Sequence, residues 1–179
     1  VDADGQELPR GEAGELWIRG PNVVVGYWNK PEETAKALIG DGWLRTGDAG
    51  ILDEEGYLFI QDRIKDMIVS GGENVFPREV EDVVAEHPAV AQVGVIGTPD
   101  ERFGELVTAV VVLREDAARD DAALAAMTEE IKQAVKARKG SVHVPKRVEV
   151  AEALPLTGLG KPDKKALRAQ YWTGERSVG

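Results

Sequence analysis

Hydrophobic and polar positions follow one pattern before residue 65 and a different pattern after it. In the first part, a short apolar run bounded by glycines predicts a strand over Glu15–Arg19. Ile51–Leu52 and Tyr57–Ile60 flank an acidic turn, which predicts a strand–turn–strand hairpin. A proline followed by two acidic residues predicts a short helix over 31–38. Strands therefore dominate the prediction for the first part of the chain.

After residue 65 the apolar spacing alternates between that of helices and that of strands. The predicted elements are a helix over 77–87, strands over 90–96 and 106–113, a helix over 120–139, a strand over 142–150 and a helix that begins at residue 162. The strand Leu106–Leu113 is nearly continuous in apolar residues, which predicts burial on both of its faces. The helix 120–139 places four apolar residues on one face: Leu124, Met127, Ile131 and Val135. This order of elements favours an α+β fold.

Composition narrows the classes of partner. The chain has 42 % hydrophobic and 30 % charged residues and a formal net charge of −10, which argues against a nucleic-acid partner. No apolar run approaches the roughly 20 residues that span a bilayer, so we expect no transmembrane segment. The absence of cysteine and of a signal-peptide pattern favours a cytoplasmic location. The chain has only two histidines, His87 and His143, and no cysteine, so we expect no metal site. Neither histidine has an acidic partner at catalytic spacing, so we expect both to be structural.

Three short segments carry the candidate chemistry. They are Trp-Leu-Arg-Thr-Gly-Asp at 43–48, the stretch Gly56–Pro77 with the glycine pair Gly71-Gly72, and Pro-Leu-Thr-Gly-Leu-Gly-Lys at 155–161. Glycine reaches positive φ at little cost, so Gly71-Gly72 predicts a tight hairpin turn and also permits a close approach by a ligand. Both readings of this glycine pair can hold at once.

Together, these segments resemble the carboxyl-terminal core motifs of the adenylate-forming superfamily, which includes acyl-CoA synthetases, peptide-synthetase adenylation domains and luciferases. The resemblance extends from about Gly14 to about Tyr171. It implies a small carboxyl-terminal lid domain over 65–179, with a mixed sheet flanked by helices. Residues 1–64 would be strands that end the barrel of a large amino-terminal domain. The chain starts at Val1 without an initiator Met, so we expect it to be a piece of a larger protein.

The resemblance also assigns roles in the first reaction step. Asp48 would accept hydrogen bonds from both ribose hydroxyls of ATP, and Arg63 would contact the same ribose or the phosphate of the adenylate. Lys161 would bridge the substrate carboxylate and the α-phosphate, which makes it the predicted catalytic residue. The structural alternatives are a turn residue at Asp48, an exposed salt bridge at Arg63 and a solvated side chain at Lys161.

The remaining roles concern movement and CoA. Lys65 falls at the hinge position of the superfamily, where only a change of backbone φ and ψ is required. Gly71 and Gly72 would line the path of the pantetheine arm, and Phe103 would lie near the nucleotide of CoA, although ordinary packing explains Phe103 equally well. A Tyr-Lys-x-Pro run found in most members is replaced here by the sequence at 139–145, which leaves local CoA contacts open.

The resemblance implies an ATP-dependent carboxylic acid–CoA ligase. It favours a fatty acid or a related acyl or aryl acid as the substrate. The ligase would form an acyl-adenylate and pyrophosphate, and then acyl-CoA and AMP, with Mg²⁺ accompanying ATP. This piece would be inactive without the amino-terminal domain, and its incomplete sheet could pair with a second copy. Two alternatives stay open: the adenylation domain of a peptide synthetase, and a stand-alone binding module without catalysis.

Overall fold

The computed structural model describes residues 1–174 and Arg176, and the chain divides into two compact units. The first unit is Val1–Lys65, and the second begins at Asp66. The sequence-based boundary placed Lys65 in the second part, whereas in the structure it closes the first unit. That the first unit ends a larger domain stays a prediction.

The first unit is a four-stranded antiparallel sheet with one short helix. Its elements are β1 (Ala13–Ile18), α1 (Pro31–Ala37), β2 (Leu38–Ile39), β3 (Trp43–Leu52) and β4 (Leu58–Arg63). The long strand β3 pairs with each of the other three strands. The turn between β3 and β4 is closed by Asp53, whose carboxylate accepts a hydrogen bond of 2.8 Å from the Tyr57 amide. This is the hairpin that the sequence predicts.

The first unit encloses almost no apolar core. Within residues 1–65, Ala49 is the one buried apolar side chain. Three consecutive residues of β4, Leu58, Phe59 and Ile60, are 46 %, 54 % and 63 % exposed. Because neighbouring side chains on a strand point to opposite faces, β4 leaves apolar surface open on both sides. Backbone pairing and polar side-chain contacts, rather than an apolar core, therefore organise most of this sheet.

The second unit contains a five-stranded mixed sheet with helices. Its elements are β5 (Ile68–Ser70), β6 (Glu73–Val75), α2 (Pro77–Val84), β7 (Val90–Asp100), β8 (Gly104–Leu113), α3 (Asp121–Lys139), β9 (Arg147–Ala151) and α4 (Lys164–Arg168). The strand order is β6-β5-β8-β7, and β9 runs parallel to β8 beside 108–112. All other pairings are antiparallel. The predicted α+β class is confirmed.

Strand β8 is buried on both faces, as the sequence predicts. Val107, Ala109 and Val111 belong to a core formed with apolar side chains of α2 and α3. Val110 points to the opposite face and packs with Ile96, Leu154 and Leu167. Alternation along one strand thus supplies both cores, and helices or loops cover each face.

Two details differ from the sequence-based expectation. The strand expected over 142–150 begins only at Arg147, because Pro145 has no amide to donate to a neighbouring strand and the preceding residues turn. Each histidine has an acidic partner in space that the sequence analysis did not identify. His87 Nε2 lies 3.0 Å from Glu130 Oε2, and His143 Nε2 lies 3.5 Å from Glu79 Oε2. These partners come from distant parts of the chain, which spacing along the sequence cannot reveal.

Across the described residues, no helix combines the length and the apolar content needed to cross a bilayer.

Candidate functional site

The two residues predicted to bind the nucleotide lie side by side in the first unit. The register of β3 and β4 places Asp48 opposite Arg63, and Arg63 Nε lies 3.2 Å from Asp48 Oδ1. The side chain of Asp48 is 28 % exposed and that of Arg63 is 53 % exposed, so both can reach a ligand in solvent. The structure therefore brings together a carboxylate that can only accept and a guanidinium that can only donate hydrogen bonds.

The backbone before Asp48 is held by several side-chain contacts. Thr46 Oγ1 donates to the Leu16 carbonyl at 2.8 Å and accepts the Asp48 amide at 3.0 Å. Gly47, between them, has a φ of +70°, a region in which other residues are strained. This turn directs the chain so that Asp48 meets Arg63.

Arg45, which precedes this turn, is fixed by Glu15 on the neighbouring strand. Arg45 Nη2 donates to Glu15 Oε2 at 2.9 Å, and Trp17 Nε1 donates to the same oxygen at 3.0 Å. Burial by itself would raise the pKa of Glu15, but the hydrogen bonds from Arg45 and Trp17 and the charge of Arg45 outweigh it, so the pKa is lowered. Glu15 therefore remains ionised and holds Arg45 in place.

The three residues predicted to contact CoA also converge, in the second unit. Gly71 and Gly72 form a two-residue turn between β5 and β6 with φ values of +63° and +87°, as a tight hairpin requires. The Gly71 amide donates to the Phe103 carbonyl at 2.9 Å. A Cβ atom on Gly71 would lie 3.2 Å from Phe103 Cδ1, whereas a Cβ on Gly72 would meet nothing within 4 Å. The turn thus has one side against Phe103 and one side open.

Phe103 is part of a compact turn that also carries a cation. The amides of Arg102 and Phe103 both donate to Asp100 Oδ1 at 2.9 Å. The Arg102 guanidinium lies 5.0 Å from the centre of the Phe103 ring, a cation–π distance. A ring face and a positive charge side by side suit a ligand with a base and phosphates. Sequence reasoning missed Arg102, although its place next to Phe103 was a usable signal.

Lys161 ends a loop that closes on itself. The Thr157 amide donates to the Lys161 carbonyl at 2.7 Å, and the Lys161 amide donates to Thr157 Oγ1 at 3.3 Å. Gly160, with a φ of +75°, completes the turn by donating to the Thr157 carbonyl at 2.9 Å. The Lys161 side chain is exposed, and within the described part of the chain no acceptor holds its ammonium group. The loop therefore presents a cation whose backbone is already ordered.

Helix α4, just after this loop, is tied to the rest of the unit by two largely buried ion pairs. Lys164 Nζ lies 3.0 Å from Glu81 Oε1, and that oxygen also accepts the Val95 amide at 2.8 Å. Arg168 Nη1 lies 2.8 Å from Asp66 Oδ1. These contacts fix the helix on which the Lys161 loop ends. Sequence reasoning did not find the four charged residues, because each pair joins distant positions.

The predicted hinge residue precedes one of these anchors. Lys65 lies within a short 3-10 turn, Ile64–Asp66, and Asp66 is the buried partner of Arg168. The rigid part of the second unit therefore begins directly after Lys65. The hinge role itself stays a prediction.

For the residues that the structure describes, no group of three or more His, Asp or Glu side chains is arranged to hold a metal ion.

Residues 79–161 match the family model of the AMP-binding enzyme C-terminal domain. The chain belongs to the adenylate-forming superfamily. A medium/long-chain-fatty-acid–CoA ligase of Mycobacterium tuberculosis is 62 % identical over the whole chain, which covers 31 % of that protein. The superfamily resemblance inferred from the three motifs is confirmed.

Solved structures of superfamily members agree with the fold. The amide bond synthetase McbA from Marinactinospora thermotolerans matches with a TM-score of 0.81 and 44 % identity, over 95 % of this chain and 33 % of that protein. MatB from Rhodopseudomonas palustris matches with a TM-score of 0.79 in its ATP-bound structure and 0.64 in its apo structure, each over 94 % of this chain and 32 % of MatB. This chain therefore matches the ATP-bound structure of MatB better than the apo structure. The chain spans about a third of the length of these relatives.

The anchor of α4 gives a first testable prediction. Arg168→Met leaves the Asp66 carboxylate buried without its cation, which should lower the free energy of unfolding by about 3–5 kcal/mol. Arg138→Met is the matched control, because Arg138 pairs with Glu86 on the surface and such pairs contribute at most about 1 kcal/mol. Urea unfolding followed by circular dichroism measures both changes. Equal losses in the two variants would show that the Asp66–Arg168 pair is no anchor.

Proposed function

We propose that this chain is the carboxyl-terminal part of an ATP-dependent carboxylic acid–CoA ligase. The observation that carries the proposal is that the second unit presents two separate candidate sites: the exposed Lys161 on its closed loop, and the hairpin Gly71-Gly72 beside Phe103. A ligase of this type catalyses two half-reactions with different chemical needs. One site fits each of them.

The first half-reaction forms the acyl-adenylate. The substrate carboxylate attacks the α-phosphorus of ATP, the bond to pyrophosphate breaks, and negative charge increases on the α-phosphate oxygens. The Lys161 ammonium stabilises that charge. Asp48 accepts hydrogen bonds from the ribose hydroxyls, and Arg63 turns its exposed guanidinium to the ribose or the phosphate. Mg²⁺ enters with ATP and neutralises the phosphates that leave.

The second half-reaction forms the thioester. The CoA thiol attacks the acyl carbon of the adenylate, and AMP leaves with the electrons of the broken C–O bond. The open side of Gly72 leaves room for the pantetheine arm, since no side chain lies there. Phe103 and Arg102 lie next to this turn and suit the base and phosphates of the CoA nucleotide.

A change of shape connects the two half-reactions. Lys65 is the proposed hinge, and its backbone would rotate to exchange the Lys161 loop for the hairpin at the reacting centre. The strand positions of the two sites support an exchange. The hairpin is attached to β8 at Gly104, where Ser70 pairs with it. Strand β9, which leads to the Lys161 loop, ends beside Val112 of β8. Gly104 and Val112 are about 26 Å apart along β8. The difference between the TM-scores to ATP-bound MatB and to apo MatB, 0.79 and 0.64, also supports the exchange.

The exposed apolar residues of the sheet in the first unit favour the presence of a further polypeptide that covers them. Exposed apolar residues on both faces of β4 need a covering surface, and the amino-terminal domain of the same protein is the proposed one. Without that domain the piece would be inactive, and a second copy of the chain is the alternative cover. We include a cytoplasmic location in the proposal, which the absence of cysteine favours.

The proposed acid is a medium- or long-chain fatty acid. The support is the 62 % identity with the mycobacterial fatty-acid ligase over the whole chain. The acid-binding pocket would lie in the amino-terminal domain, so this chain contributes to the chemistry of activation rather than to the choice of acid.

In a second candidate function, the enzyme forms the same acyl-adenylate but transfers the acyl group to a different acceptor. The similarity to an amide bond synthetase, 44 % identical with a TM-score of 0.81, favours an amine in place of CoA. The arrangement around Lys161 would be the same in both cases. The two candidates differ in whether the open side of Gly72 receives a pantetheine arm.

Lys161→Ala tests the adenylation role in the full-length protein that the proposal requires. Loss of one charge-stabilising donor should lower the rate of adenylate formation by about 100- to 1,000-fold. The same variant should convert preformed acyl-adenylate and CoA to thioester at nearly the normal rate, because that step uses the hairpin. Pyrophosphate release and thioester absorbance measure the two steps, and Lys146→Ala, at another exposed lysine, is the control.

Equal losses in both steps for Lys161→Ala would contradict the exchange of sites. No loss in either step would contradict the enzyme proposal, and the stand-alone binding module would then be the remaining alternative.

Gly72→Asn tests the thioester role. Asparagine tolerates positive φ better than other residues, so the turn should persist while a side chain occupies the open side. Thioester formation from preformed adenylate should fall by about tenfold or more, with adenylate formation unchanged. An unchanged rate with CoA, together with rapid reaction of the adenylate with amines, would favour the second candidate.

A further inference from the structure

Glu105 is a buried carboxylate with no role in the chemistry proposed above. It lies in β8 with 4 % of its surface exposed. A buried carboxylate is costly unless charged or polar partners surround it. Among the described residues, the Val69 amide donates to Oε2 at 2.9 Å, and the Arg176 guanidinium forms an ion pair with both oxygens.

Arg176 reaches this carboxylate from a position 71 residues later in the chain. Its Nη2 donates to Glu105 Oε2 at 2.6 Å and also to the Met67 carbonyl, and its Nε contacts Oε1. The guanidinium itself is largely buried. Arg176 thus bridges Glu105 on β8 and the backbone just before β5, in the fork geometry that lysine cannot provide.

A neighbouring contact holds the same part of the chain on the sheet. Trp172 Nε1 donates to the Gly97 carbonyl at 2.9 Å. Gly97 is also what makes room for the carboxylate, because a Cβ atom there would lie 2.7 Å from Glu105 Oε2. The Glu105 carboxylate therefore occupies the space that a side chain at Gly97 would fill, and Trp172 binds the carbonyl of the same glycine.

The hairpin of Gly71 and Gly72 depends on these contacts. Strand β5 pairs with β8 at a single position, Ser70 with Gly104. The Gly71 amide adds one hydrogen bond to the Phe103 carbonyl. The bond from the Val69 amide to Glu105 is the further tie between β5 and β8, and it lies two residues before the turn.

We propose that Arg176 is a positioning residue for the Gly71–Gly72 turn. It neutralises Glu105, which then fixes Val69 and with it the end of β5. The role rests on the function proposed above, because it assigns Arg176 to the thioester half-reaction alone. A purely structural ion pair would instead affect both half-reactions together.

Hydrogen exchange on this chain tests the physical part of the inference without any activity. Arg176→Met should speed amide exchange at Val69 and Gly71 by about tenfold or more, while Val110 in the middle of β8 keeps its rate. Arg119→Met is the matched control, since its guanidinium donates to the Arg114 carbonyl in an exposed turn. Unchanged exchange at Val69 and Gly71, or an equal increase at Val110, would overturn the inference.

Two further variants separate charge from geometry. Arg176→Lys keeps the charge and loses the fork, so it should give exchange rates between those of wild type and Arg176→Met. Glu105→Gln combined with Arg176→Met removes the unpaired buried charge and should restore part of the protection at Gly71. Absence of recovery in both variants would show that the ion pair does not order the turn.

Half-reaction kinetics of the full-length protein test the functional part. Arg176→Met should slow thioester formation from preformed adenylate by about tenfold and leave adenylate formation within about twofold. Equal slowing of both steps would overturn the inference, while the split expected for Lys161→Ala would still support the ligase. Failure of the Lys161→Ala split would instead remove the proposed function, and the exchange experiment would then decide the structural role of Arg176 alone.

Discussion

Burial of β8 on both faces is the constraint on which the second unit depends. Its alternating side chains supply one core with α2 and α3 and a second core with Leu154 and Leu167. The hairpin with Gly71 and Gly72 joins the start of this strand, and β9, which leads to the Lys161 loop, runs along its later half. Both candidate sites of the unit are therefore attached to one strand that is buried on both faces.

Buried ion pairs transmit this rigidity to the two sites. Asp66 with Arg168 and Glu81 with Lys164 hold α4, on which the Lys161 loop ends, and Glu105 with Arg176 holds the strand before the glycine turn. Such pairs add little net stability over apolar packing, but a lost partner is costly, so they favour one arrangement over others. In this unit they lie beside the two candidate loops.

The sequence predicted the parts of this fold that follow from local pattern. The apolar run of β8, the stripe of α3 with Ile131 and the turn at Gly71-Gly72 were all readable, because period and glycine chemistry act over a few residues. The ion pairs and the acidic partners of the two histidines were not readable, since Glu105 and Arg176 are 71 residues apart and meet only after the sheet has formed. The site residues came from the resemblance to the superfamily, and the structure adds that Asp48 meets Arg63 and that Gly71 meets Phe103.

The central claim is that the second unit is a self-supporting body with both sites formed, whereas the first unit needs a covering surface from elsewhere. The most direct measurement is nuclear magnetic resonance of residues 66–179 and of residues 1–65 as separate polypeptides. The account predicts dispersed amide signals and cooperative unfolding for 66–179, because both cores lie within it, and poorly dispersed signals for 1–65. An unfolded 66–179 polypeptide, or a 1–65 polypeptide that folds cooperatively by itself as a monomer, would contradict it.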